Sequence, residues 1–109
     1  MKLLIVGSRS IEEFDLSPYI GEEVDTIISG GAGGIDTLAE QYADHHHLSK
    51  YIIRPRYDLY QRAAPIKRNE QMVDMADAVL IVWDGTSKGT QSTLKYAQKT
   101  NKPFTLVEL

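Results

Sequence analysis

The chain has 109 residues, no cysteine, 42% hydrophobic and 25% charged residues, and a formal net charge of −3. These proportions exclude collagen-like, low-complexity and disordered classes. The missing thiols exclude disulfides, thiolate metal sites and a cysteine nucleophile, and they fit a reducing compartment. The acidic balance weighs against a protein that holds nucleic acid mainly by charge. Its distribution is uneven, however: Glu12 to Asp25 holds acids only, whereas Lys50, Arg54, Arg56, Arg62, Lys67 and Arg68 are offset by Asp58 alone. That second segment is a candidate anion-attracting surface.

The chain opens on a strand, Lys2–Gly7, whose apolar run Leu3-Leu4-Ile5-Val6 is too short for a membrane span or signal core. A single cytoplasmic domain over residues 1–109, with no membrane partner, is therefore expected. Ile11 to Ile20 has some helical pattern, but Pro18 interrupts it. A second strand is expected at Val24–Ser29. After Gly34, the residues Ile35, Leu38, Ala39, Tyr42, Ala43 and His46 share one helical face, predicting a helix to about Leu48. The weakest strand is Tyr51–Arg54. Pro65 suits a first helical turn, with Ile66, Asn69, Val73 and Ala76 as the inward stripe and Arg68, Met72 and Met75 beside it. Strand Ala78–Trp83, a polar helix from about Gly89 to Thr100, and strand Pro103–Val107 complete the chain.

Strands alternating with helices predict an α/β, Rossmann-like, doubly wound sheet of five parallel strands, with helices on both faces. Its expected order is 3-2-1-4-5, with the topological switch between the first and fourth strands. Ligands in such sheets bind beyond the carboxyl ends of the strands. Three loops rich in glycine and small polar residues fall there: Gly7-Ser8-Arg9-Ser10, Ser29-Gly30-Gly31-Ala32-Gly33-Gly34, and Asp84-Gly85-Thr86-Ser87-Lys88-Gly89-Thr90.

The middle loop lets backbone N–H groups approach a ligand ahead of a helix N-terminus, so phosphate is its natural guest. It is not the dinucleotide fingerprint, because Asp36 stands where the third glycine belongs. Asp36 has two available roles, capping free N–H groups or accepting a bond from a ribose hydroxyl. The last loop is either a second anion cradle or an ordinary Ser/Thr-capped helix start; it is no Walker motif, since Lys88 precedes its glycine. Arg68 and Asn69 are either a phosphate clamp with a base or ribose reader, or a surface arginine beside a satisfied asparagine. Arg9, between two serines after the first strand, is placed for ligand contact. His45, His46 and His47 diverge around a helix and cannot face one ion, so no metal site is expected. Trp83 either stacks on a base or closes the core. Glu40 and Asp44 read as exposed carboxylates without an acid–base role.

Val6-Gly7-Ser8-Arg9, Ile28-Ser29-Gly30-Gly31-Ala32-Gly33-Gly34-Ile35-Asp36, Lys67-Arg68-Asn69 and Trp83-Asp84-Gly85-Thr86-Ser87-Lys88-Gly89-Thr90, in that order, resemble the SLOG superfamily over nearly the whole chain. The resemblance implies a Rossmann-like sheet, frequent homo-oligomers, and binding of nucleotides or nucleotide-derived signals at these loops. The LONELY GUY-type phosphoribohydrolases of that superfamily carry a Pro-Gly-Gly-x-Gly-Thr-x-x-Glu motif and an arginine four residues before a methionine. Arg68 and Met72 keep the second spacing and Gly89-Thr90 match the Gly-Thr pair, but Thr93 occupies the glutamate position and the Pro-Gly-Gly is absent. Binding with altered or absent chemistry follows from that loss. The DNA-processing A family is similar at Ser29-Gly30-Gly31-Ala32, Gly34-Ile35-Asp36 and Arg68-Asn69, which implies single-stranded DNA binding as a third possibility.

The expected function is thus recognition of a nucleotide or phosphoribosyl ligand, with no further cofactor assigned. Its contact set is Gly7, Ser8, Arg9, Ser29, Gly30, Gly31, Gly33, Gly34, Asp36, Arg68, Asn69, Asp84, Gly85, Ser87, Gly89 and Thr90. The alternative is an enzyme cleaving an N-glycosidic or phosphate bond in that ligand. Arg68 would then place phosphate, and Asp36 and Asp84 are the candidate carboxylates.

Overall fold

The computed structural model describes the whole chain, Met1–Leu109. Five parallel strands form one sheet in the order β3-β2-β1-β4-β5, with β1 Lys2–Gly7, β2 Thr26–Ser29, β3 Ser49–Ile52, β4 Ala78–Trp83 and β5 Phe104–Glu108. The expected doubly wound order is therefore observed. The central pair is in register from Leu3↔Ala78 to Gly7↔Val82.

Alternation along the strands splits the core in two. Leu3, Ile5, Ile27, Leu80 and Val82 face one side and pack against helix α1, Ile35–His45. Leu4, Val6, Ile28, Val79 and Ile81 face the other, against α3, Ala64–Met75, and α4, Lys88–Lys99. A four-residue helix, α2, Tyr57–Tyr60, precedes α3. No helix is long and apolar enough to cross a membrane.

The crossover from β1 to β2 carries no α-helix. Pro18 confines it to one 3-10 turn, Ser17–Tyr19, and Ile11, Leu16 and Val24 seal that part of the sheet instead. Several boundaries differ from the sequence reading. The third strand starts two residues earlier than Tyr51 and ends at Ile52, where the chain leaves the sheet ahead of Pro55. Both outer strands are largely exposed rather than covered on both faces. Helix α1 stops at His45 instead of Leu48. The left-handed His47 (φ 56°) turns the chain, and the Leu48 N–H donates to the Ala43 carbonyl at 2.8 Å. On α3, Ile66 is 51% exposed and Met72 only 1%, so the buried stripe runs through Asn69, Met72, Val73 and Ala76. Met72 thereby joins the core on that face of the sheet, with Leu4, Val6, Val79 and Ile81.

Candidate functional site

A recess of about 400 Å³ opens at the carboxyl edge of the sheet, where β1 and β4 part. Val6, Gly7, Arg9 and Ser10 enter it from β1 and its loop, and Ala32 and Asp36 come from the β2–α1 segment. Pro65, Arg68, Asn69 and Met72 line it from α3. Asp84, Ser87, Gly89, Thr90 and Thr93 close it from the β4–α4 segment. Val6, Ala32, Pro65 and Met72 are the apolar members of an otherwise largely polar lining.

Asp36 is the most unusual of these groups. It is 6% exposed, and its Oδ2 accepts the Ala32 N–H at 3.1 Å. This bond goes to a loop amide ahead of the helix, so the residue does not cap the N–H groups of α1. Its Oδ1 has no protein partner and is not fully sealed, and the residue lines the recess. Burial pushes the carboxyl up to about 6, against the Ala32 hydrogen bond and the positive charges of Arg68 and Arg9, while Glu40 adds to the rise.

Asp84 sits in the opposite environment. Its Oδ1 accepts the Thr86 N–H at 2.8 Å, the Ser87 N–H at 2.9 Å and the Thr86 hydroxyl at 3.1 Å, and its Oδ2 accepts the Ser10 hydroxyl at 2.8 Å. The two backbone bonds hold this carboxyl well below the usual carboxylate range. Asp84 therefore organises its turn as a fixed anion and cannot exchange protons near neutrality. Two carboxylates share one recess with environments that drive them apart, which leaves Asp36 as the group able to exchange a proton there.

Arg68 is half-buried and already engaged. Its Nη1 donates to the Gly30 carbonyl at 2.8 Å and to the Ile53 carbonyl at 3.3 Å, and its Nε donates to Asn69 Oδ1 at 2.9 Å. It ties α3 to the loops after β2 and β3. Only Nη2 remains without a protein partner, so a two-pronged phosphate grip by Arg68 is not available in this arrangement. Asn69 completes the bridge by donating from Nδ2 to the Gly89 carbonyl at 3.5 Å. Arg9 is exposed, lines the recess and makes no intramolecular hydrogen bond, so its guanidinium is free.

The first turn of α4 offers the complementary donors. Ser87 is its N-cap, accepting the Thr90 N–H at 3.5 Å and pairing with the Thr90 hydroxyl at 3.1 Å. The Lys88 and Gly89 N–H groups meet no protein acceptor. Nothing lies within 4 Å of where a Cβ on Gly89 would be, so this turn presents bare backbone to the recess. Thr93 adds no titratable group. It is buried, and its hydroxyl donates back to the Gly89 carbonyl at 3.2 Å.

Gly7, Arg9, Asp36, Arg68, Asn69, Asp84, Ser87, Gly89 and Thr90 thus come together around one space. Ser8, Ser29, Gly30, Gly31, Gly33, Gly34 and Gly85 do not line it. Ser8 is buried, and its hydroxyl accepts the Asp84 N–H at 2.9 Å, clasping the first loop to the last. Ser29 is buried, donating to Glu40 Oε2 at 2.9 Å and accepting the Gly31 N–H at 3.2 Å. Glu40 is accordingly half-buried rather than exposed.

The glycine run mainly admits the protein's own groups. A Cβ on Gly30 would lie 2.9 Å from Arg68 Nη1 and 3.0 Å from Asp36 Oδ2. A Cβ on Gly34, which sits at φ +67°, would run into the Ser8 carbonyl. Trp83 donates from Nε1 to the Ser87 carbonyl at 2.9 Å and packs against the core, so it closes the sheet instead of offering a free face. Val6, Ser10, Ala32, Pro65, Met72 and Thr93 line the recess without having been singled out as contacts.

Comparison with known proteins adds one relative. The chain is 34% identical over 64 residues to the uncharacterized SPbeta prophage-derived protein YoqJ of Bacillus subtilis (strain 168), an alignment covering 58% of this chain and 37% of that protein. The matched part thus spans well under half the length of that relative. No family model matches the chain. No solved structure matches it either.

Proposed function

We propose that the recess binds a nucleotide or another phosphoribosyl compound, as a sensor or as a processing module. One observation carries this reading. The free Arg9 guanidinium, the unpaired Gly89 N–H at the start of α4 and the buried Asp36 carboxylate line a single space at the switch point. Cation and helix N-terminus suit a phosphate, the carboxylate suits a hydroxyl donor, and the apolar lining residues suit the sugar or base. A volume of about 400 Å³ lies within the range of small-molecule sites.

A second reading, hydrolysis of the N-glycosidic or phosphate bond, is supported by Asp36 alone. Its carboxyl, pushed up to about 6, is poised to give or take a proton near neutrality. One experiment separates the two: purified protein is incubated with nucleoside monophosphates and ADP-ribose, and both the melting temperature and free base are followed. Stabilisation without base release supports a binding module. Release that disappears in Asp36→Asn supports the enzyme. If no compound shifts the melting temperature or is turned over, nucleotide recognition is wrong.

A further inference from the structure

We propose that Asp36 reads a sugar hydroxyl, making the recess selective for ribose phosphates over their deoxy counterparts. The inference rests on the nucleotide-binding reading and specifies which half of the ligand carries the selectivity. A carboxylate that is 6% exposed has lost most of its water, so an unpaired oxygen on a residue that lines a recess calls for a donor. The Ala32 N–H holds Oδ2 and leaves Oδ1 as the oxygen without a protein partner.

The charges facing Asp36 decide what kind of donor fits. Arg9 approaches from the β1 loop and Arg68 from α3, each favouring the anion; Glu40, one turn along α1, opposes it. Asp84 lies across the recess as a second anion. With two guanidiniums already present, an ammonium donor would meet like charge on the way in, whereas a neutral hydroxyl would not. A phosphorylated ligand brings its own negative charge, which needs donors that Asp36 cannot supply. The unpaired Gly89 N–H and the free Arg9 guanidinium line the recess and are the donors for it. A compound with phosphate at one end and a hydroxyl-bearing sugar behind it matches both demands, whereas free phosphate or polyphosphate leaves Asp36 unpaired.

Ribose 5-phosphate and the four common ribonucleoside monophosphates are titrated by calorimetry, and the tightest is compared with its 2′-deoxy and 3′-deoxy forms. Removing the hydroxyl that Asp36 accepts should weaken binding by about tenfold to a hundredfold, the worth of a hydrogen bond to a charged group. In Asp36→Ala, which offers no acceptor, that preference should shrink to within about threefold, and in Asp36→Asn, which keeps only a neutral acceptor, it should fall below the wild-type value, while phosphate-dependent binding persists in both. Equal binding of the ribose and both deoxy forms to the wild type overturns the inference and leaves nucleotide recognition standing. A preference that survives both substitutions also overturns it. If none of the compounds binds, nucleotide recognition fails and this inference falls with it.

Discussion

Asp36→Asn provides the most direct test of the site's electrostatics, because its effect on stability has a sign opposite to that of most buried polar substitutions. The folded carboxyl titrates at about 6, against 3.8 for an ordinary aspartate, a difference of about 2 units. At about 1.4 kcal/mol per unit, ionised Asp36 costs the folded state about 3 kcal/mol. A raised aspartate binds its proton more tightly in the folded than in the unfolded chain. Its cost is therefore absent below 3.8, grows as pH climbs towards about 6, and is fully present above that. Asparagine stays neutral, and its Oδ1 can keep the Ala32 N–H bond.

The variant should therefore gain stability over the wild type as pH rises, by about 1.5 kcal/mol between about pH 5 and about pH 8. Urea unfolding of both proteins at the two pH values measures this difference of differences, in which the other titrating groups cancel. A gap between variant and wild type that does not change with pH would refute the reasoning, since it would mean that Asp36 titrates as an ordinary aspartate.

Three further substitutions separate structure from recognition. Gly34→Ala should destabilise by more than about 2 kcal/mol in thermal or urea unfolding, because left-handed backbone and a clash with the Ser8 carbonyl add together. Gly89→Ala should do the reverse for stability, adding about 0.5–1 kcal/mol as an alanine within a helix. It should also weaken binding of a phosphorylated ligand, because a methyl group then occupies the bare turn. Ser87→Ala removes the N-cap of α4 and should cost about 1 kcal/mol in urea unfolding.

The central strands were legible because Leu3 to Val6 and Val79 to Val82 are uninterrupted apolar runs, as a strand covered on both faces requires. The third strand was displaced because Ser49 and Lys50 are polar residues on an exposed edge, where hydrophobicity does not mark the boundary. Helix α2 has four residues between Pro55 and Pro65, too few to show a periodic stripe. Within the site, Asp36, Arg68 and Asn69 stood out as polar groups near a helix start. Val6, Pro65 and Met72 carry no chemical signal and join the recess only through the sheet's geometry. The glycine run was read as space for a ligand, but Gly30 and Gly31 chiefly make room for Arg68 and Arg54. Sequence does not tell a glycine that admits a guest from one that admits the chain's own side chain.

The central position of β1 bears on how the protein assembles. This strand lies between β2, which follows within the first third of the chain, and β4, whose residues begin at Ala78. Because Leu3 pairs with Ala78 and the Ser8 hydroxyl with the Asp84 N–H, some three-quarters of the polypeptide must be available before the two halves of the sheet can close. Contacts so distant in sequence form late and slowly, since the loop they close is long. The recess lies on that seam. A fragment ending before β4 keeps Arg9, Asp36 and Arg68 but cannot bring them to the α4 turn, so recognition arises only when the two halves join.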